Sequence, residues 1–204
     1  MNSEEFLGYA IKKLVAQDVT VNFNKRIKDS KYSYNYFDYI TKKELIINYF
    51  NNSFDSWFPV FVHEYCHFLQ WKNELSKWES YNKYLVSFGN YLDGKTSKIN
   101  KKTIRKIQEV ELDCDKKAIK LIKKNQFNID LSKYIKESNY YILCYDFIIK
   151  YKKFFIPYKD NILELIPDKA FTLEDLDTFP AKDEVEQLYL EEFKNKYPYD
   201  AFIQ

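Results

Sequence analysis

Apolar positions along the chain follow the helical repeat in most places and the alternating repeat of strands in a few. Phe6, Leu7, Ala10, Ile11 and Leu14 share one face of a predicted helix that runs to about Ala16, with Ser3 placed as its cap. Val19 to Phe23 alternates as a short strand, and Glu44 to Phe50 reads as a second. The aromatic stretch from Tyr32 to Tyr39 between them fits either a strand or a loop. Asn51, Asn52, Ser53 and Asp55 then punctuate the chain before a helix predicted to start near Ser56 or Trp57. Pro59 is tolerable in its first turn, whose amides have no intrahelical partner. Phe61, Val62, Tyr65, Phe68 and Leu69 point around this helix, so it should be buried nearly all round.

Further helices are expected over about Glu74 to Leu92, halted at Asp93-Gly94, over Lys101 to Lys124 behind an Asn100 cap, and from Asp130 to about Phe155. Pro157, Pro167 and Pro180 make the next section irregular, and a last helix runs from about Asp183 to Lys196. The expected class is α+β, predominantly α, with a small N-terminal sheet, in a single domain spanning residues 1–204.

Composition narrows the function. The chain has 32 Lys and Arg against 30 Asp and Glu, so no global charge favours nucleic acid or an acidic membrane. The lysine runs near positions 101, 123 and 150 read as solvated faces, which points away from a nucleic-acid partner. Three glycines rule out a glycine-rich phosphate cradle. No apolar run reaches the length of a membrane span, and the N-terminal segment lacks the basic start and apolar run of a secretory signal. Cys66, Cys114 and Cys144 make no CxxC pair and no disulfide framework. Together these predict a cytoplasmic protein with no membrane partner, and leave its oligomeric state open.

Both histidines of the chain lie in His63-Glu64-Tyr65-Cys66-His67, an HExxH on the central predicted helix. Side chains four apart lie on one helix face, so both imidazoles can reach one metal ion. Glu64 would flank the ion and take a proton from water. Two randomly placed histidines would form this motif on the order of once in a thousand chains, so its presence carries weight. The plain alternative is an interior helix whose histidines hydrogen-bond to neighbours and whose Glu64 sits in a buried ion pair.

Catalytic zinc takes three protein ligands and keeps one position open. With no third histidine, the last ligand must be Glu, Asp or Cys. In the helix after Asn100, Ile104, Ile107, Cys114, Ala118 and Leu121 or Ile122 form the apolar stripe, and Glu111 falls on it. A carboxylate facing the core calls for a cation. Asp115, one turn on, could accept the outer ring proton of a ligating histidine. Glu109 is the second choice, Cys114 is a softer alternative, and a salt bridge to a lysine is the simpler role for Glu111. Cys66 reads as core, as do Trp57, Trp71 and Trp78.

HExxH followed by Glu-x-x-x-Asp, here His63, Glu64, His67, Glu111 and Asp115, resembles the gluzincin branch of the zinc metallopeptidases. The short helix and strands leading into HExxH also look like the compact ImmA/IrrE-type and phage-encoded enzymes, over about residues 19 to 122. The resemblance implies a zincin-like fold, zinc bound by His63, His67 and Glu111, and Glu64 as general base and then acid. It also implies a peptide or protein substrate pairing along the strand Glu44 to Phe50 as the sheet edge. Such enzymes often stabilise the oxyanion with a further His or Tyr; Tyr140, Tyr141 and Tyr145 are the candidates. Two other functions fit the same residues: an inactive or structural zinc-binding interaction protein, and a zinc hydrolase of a non-peptide amide.

Overall fold

The computed structural model describes residues 1–25, 35–38, 42–49 and 53–197. Their order is α1 (Ser3–Val15), β1 (Thr20–Lys25), β2 (Tyr36–Asp38), β3 (Glu44–Tyr49), α2 (Phe54–Asn73), α3 (Leu75–Leu92), α4 (Lys101–Asn125), α5 (Leu131–Tyr151), α6 (Asp160–Leu165), α7 (Leu173–Thr178) and α8 (Lys182–Lys196). The class is α+β with α predominant. No helix among the described residues is long and apolar enough to cross a membrane. The chain divides into two compact units, Met1–Glu79 with Cys114–Leu131, and Ser80–Asp113 with the chain from Ser132 onward.

In the first unit, α1 starts at Ser3 itself, so the cap is Asn2 and not Ser3. Asn2 Oδ1 accepts the Glu5 amide and Glu5 Oε2 accepts the Asn2 amide, both at 2.9 Å, a reciprocal capping box. Phe6, Ala10 and Leu14 are its buried face. Phe6 meets Phe58, Tyr65 and Phe127 at ring separations of 6.4, 5.5 and 5.0 Å.

The sheet order is β1-β3-β2, with β1 parallel and β2 antiparallel to β3. This corrects one expectation. Glu44–Tyr49 is the middle strand, not the edge, because its backbone is paired on both sides: Val21 lies opposite Leu45, and so does Phe37. Leu45 and Ile47 are wholly buried, the burial pattern of a strand covered by a helix. The aromatic stretch contributes β2 at Tyr36–Asp38; Tyr32 to Tyr34, Tyr39, Phe50, Asn51 and Asn52 lie outside the described residues.

Helix α2 begins two residues earlier than its punctuation suggests, behind Ser53. Pro59 therefore falls in the second turn, and the carbonyl it leaves unserved belongs to exposed Asp55, where water can take over. Burial runs around α2 as expected: Phe58, Phe61, Val62, Tyr65, Cys66 and Phe68 are each at most 4% exposed.

In the second unit, α5 buries Ile142, Leu143, Cys144, Phe147 and Ile148. Tyr189 of α8 packs on Phe147 at 5.0 Å. The proline-broken section is held by one buried side chain. Asn139 Nδ2 donates to the Pro167 and Lys169 carbonyls and its Oδ1 accepts the Phe171 amide, all at 2.9 Å. A single amide thus supplies the backbone partners that no helix or strand provides there.

Leu45→Ala should cost about 2–5 kcal/mol, since it empties a site closed on both sides by paired strands and above by α2. Urea denaturation would measure it, and Val15→Ala, at an exposed position, should stay within about 0.5 kcal/mol. A second expectation concerns alkali. Burial pushes the hydroxyls of Tyr140 and Tyr189 well above the ordinary tyrosine value. In the unfolded chain they ionise near pH 10, while in the folded chain they stay protonated. Their contribution is therefore complete below about pH 10 and lost as pH climbs above it. Buried Cys144, whose thiol is likewise pushed up, starts the fall earlier. Urea midpoints should therefore decline from about pH 9 and more steeply above about pH 10, and Tyr189→Phe should shrink the steeper part.

A candidate metal centre on helix α2

The chemistry gathers on one face of α2. His63, His67 and Gln70 stand at i, i+4 and i+7, and α2 has enough helical turns on each side to hold that register. His67 is 7% exposed and Gln70 5%, while the His63 side chain keeps 17% of its surface open. Glu64, beside His63 in sequence, is buried at 6%.

The two imidazoles meet through Nε2, with 3.1 Å between the nitrogens. Their outer nitrogens are each fixed. His63 Nδ1 lies 2.9 Å from Asp115 Oδ1, and His67 Nδ1 lies 2.8 Å from Gln70 Oε1. A carboxylate only accepts, so His63 carries its proton on Nδ1. With Gln70 presenting its oxygen, His67 does too. With a proton on each Nδ1, both Nε2 atoms would present lone pairs to one point, an arrangement that a cation between them would stabilise. Two nitrogens bound to one zinc at near-tetrahedral angles are about 3.3 Å apart, close to the observed spacing. The arrangement fits a metal ion on these grounds.

Helix α4 reaches this place with two consecutive residues. Cys114 Sγ lies 3.1 Å from the His63 carbonyl oxygen, to which its thiol donates, and Asp115 holds the His63 ring. The Asp115 contact is the one expected from the spacing. The candidate ligand atoms of His63, His67 and Cys114 all lie within 4.8 Å of one another. Around them, the Trp78 ring stands 5.6 Å from the His67 ring, and Phe37 of β2 stands 5.9 Å from Trp78.

Glu111 belongs to the second unit. It is 5% exposed on the buried stripe of α4, with Ile104, Ile107, Cys114, Ala118 and Ile122, and accepts the Tyr81 hydroxyl at 3.2 Å. Glu109 is half exposed and pairs with Lys106 on the surface. Of the tyrosines considered for the oxyanion, Tyr140 is fully buried, and Tyr141 and Tyr145 share a hydrogen bond at 3.0 Å. Gln70 is the residue the motif alone did not reveal, though its spacing from His63 and His67 is the signal that marks it.

No protein-family model, curated protein or solved structure matches this chain. The functional reading therefore rests on the residues themselves.

Asp115→Asn keeps the shape but removes the carboxylate that fixes His63. The affinity of a metal ion held by these residues, measured by competition with a chromophoric chelator, should fall about 10–100-fold.

Proposed function

We propose that the chain is a zinc-dependent metallopeptidase of zincin-like architecture. The observation that carries the reading is the approach of the two Nε2 atoms to 3.1 Å, with each imidazole's outer nitrogen held by an oxygen behind it. His63 and His67 hold the ion through Nε2. A third protein ligand comes from α4, with Glu111 the choice from the sequence pattern and Cys114 the alternative. Bound there, zinc would supply a Lewis acid for the scissile carbonyl and lower the pKa of a water it holds toward about 7.

Glu64 is the proton carrier. Its carboxylate takes a proton from the water as the oxygen bonds to the carbonyl carbon. The carbon–nitrogen bond then breaks, and Glu64 gives the same proton to the departing amine. An extended peptide pairs along β2, the outer antiparallel strand of the described sheet. The aromatic chain from Phe37 through Trp78 to His67 supports that placement. Cys66, Cys114 and Cys144 are buried thiols outside any disulfide, which suits a reducing, cytoplasmic setting.

A second reading is a zinc-binding interaction protein without turnover. Cys114 favours it, because a thiolate added to two histidines and a glutamate would close the shell and leave no position for water.

Protein purified without chelator should carry about one zinc per chain and lose it in His67→Ala. Glu64→Gln should keep the zinc and lose peptide hydrolysis by at least about 100-fold; turnover at the wild-type rate would remove Glu64 from its role. Zinc lost in Glu111→Ala but kept in Cys114→Ser supports the peptidase, and loss in both supports the closed structural site.

A further inference from the structure

The His63 ring is held by a carboxylate, the usual device for a metal-binding imidazole. The His67 ring is held by an amide from its own helix. We infer that Gln70 is a positioning residue that sets the tautomer of His67 and thereby the strength of the metal site, an inference that rests on the metallopeptidase reading.

Three observations carry it. Gln70 is 5% exposed, so its amide cannot rely on water and must be satisfied by neighbours. Its Oε1 stands 2.8 Å from His67 Nδ1, the length of a good hydrogen bond. It also lies one turn beyond His67 on the face that carries His63, so the contact is made within α2 and needs no other element to form. A glutamine side chain spans that turn, and asparagine would fall a methylene short.

The amide oxygen, by accepting the Nδ1 proton, keeps that proton off Nε2, and Nε2 is the atom facing His63. Without the acceptor, His67 is free to carry its proton on Nε2, where it would hydrogen-bond to His63 Nε2 and occupy the place of the ion. Gln70 thus disfavours the one tautomer in which the two histidines satisfy each other without metal. A neutral acceptor does this without adding negative charge to a buried centre that already includes Glu64 and Asp115. Charge at this point would weaken the pull of the ion on its remaining ligands, so an amide orients the ring while leaving the ion more electrophilic.

The test is zinc affinity of the full-length chain, by competition with a chromophoric chelator, for Gln70→Leu and Gln70→Glu beside the wild type. Thermal melting of each chelated protein establishes that it is folded. Gln70→Leu keeps the bulk and loses the acceptor, and should bind zinc about 10–100-fold more weakly. Gln70→Glu restores an acceptor and should bind at least as tightly as the wild type. Wild-type affinity in Gln70→Leu overturns the inference, and so does an equal loss in both variants, which would make Gln70 a packing residue. Should the leucine variant not fold, Gln70→Glu decides alone: affinity at or above wild type supports the role, and a tenfold loss ends it. A wild-type chain that takes up no zinc, or takes it up regardless of His67→Ala, fails on the metallopeptidase reading itself and is seen before either Gln70 variant is compared.

Discussion

Two imidazole nitrogens brought to 3.1 Å of each other are the constraint on which the chemistry of α2 depends. The helical repeat brings the two imidazoles to one face, but repeat alone leaves the rings free to turn. Their orientation comes from behind, from Asp115 on one ring and Gln70 on the other. The two holds differ in kind. Gln70 forms with α2 itself, while Asp115 requires α4 to lie in one register against α2. Cys114 supplies that register, since its thiol meets the His63 backbone carbonyl while its neighbour meets the His63 ring. His63 is therefore gripped twice by consecutive residues of one helix.

Such a site is tolerable only inside a well-packed support. The polar residues His63, Glu64, His67 and Gln70 sit on a helix whose other faces are closed by Phe58, Phe61, Val62 and Phe68. Polar groups there cost several kcal/mol if left unsatisfied, and each contact among them is strengthened by the low dielectric that surrounds it. The middle strand β3 contributes by presenting Leu45 and Ile47, both wholly buried, with its backbone paired on both flanks. A strand so enclosed cannot slip register without turning its apolar face outward.

What the sequence disclosed follows from which interactions are local. HExxH, its helix and the Asp115 spacing are readable because each depends on the 3.6-residue repeat, which the chain carries in its own order. Gln70 obeys the same repeat and was legible in principle; a motif read as five residues stops one turn short of it. The caps differ by a residue, Asn2 for Ser3, because both residue types cap well and the choice turns on where the first helical hydrogen bond closes. The position of β3 within the sheet was not legible at all. Strand order is decided by pairing between segments far apart in the chain, and alternation is the same in a middle strand as in an edge. Asn139 is hidden for a similar reason: its three backbone partners are some thirty residues away, and nothing near it announces them.

The choice between a carboxylate and a thiolate as third ligand bears on catalysis, and the geometry around His63 weighs on it. A thiolate ligand must first lose its proton, and the Cys114 proton is the one donated to the His63 carbonyl. Ligation by Cys114 would thus remove one of the two contacts that set α4 against α2, at the residue whose ring must stay oriented. A buried helix carbonyl is already satisfied along the helix in part, so losing the thiol is affordable in energy; losing the register is the larger consequence, because Asp115 follows immediately. In the proposed centre a carboxylate ligand would leave that contact in place, and its harder oxygen would draw less of the ion's positive charge than sulfur does. The part the structure does show for Cys114 is the clamp on His63, a thiol proton on the backbone carbonyl with Asp115 on the ring one residue later.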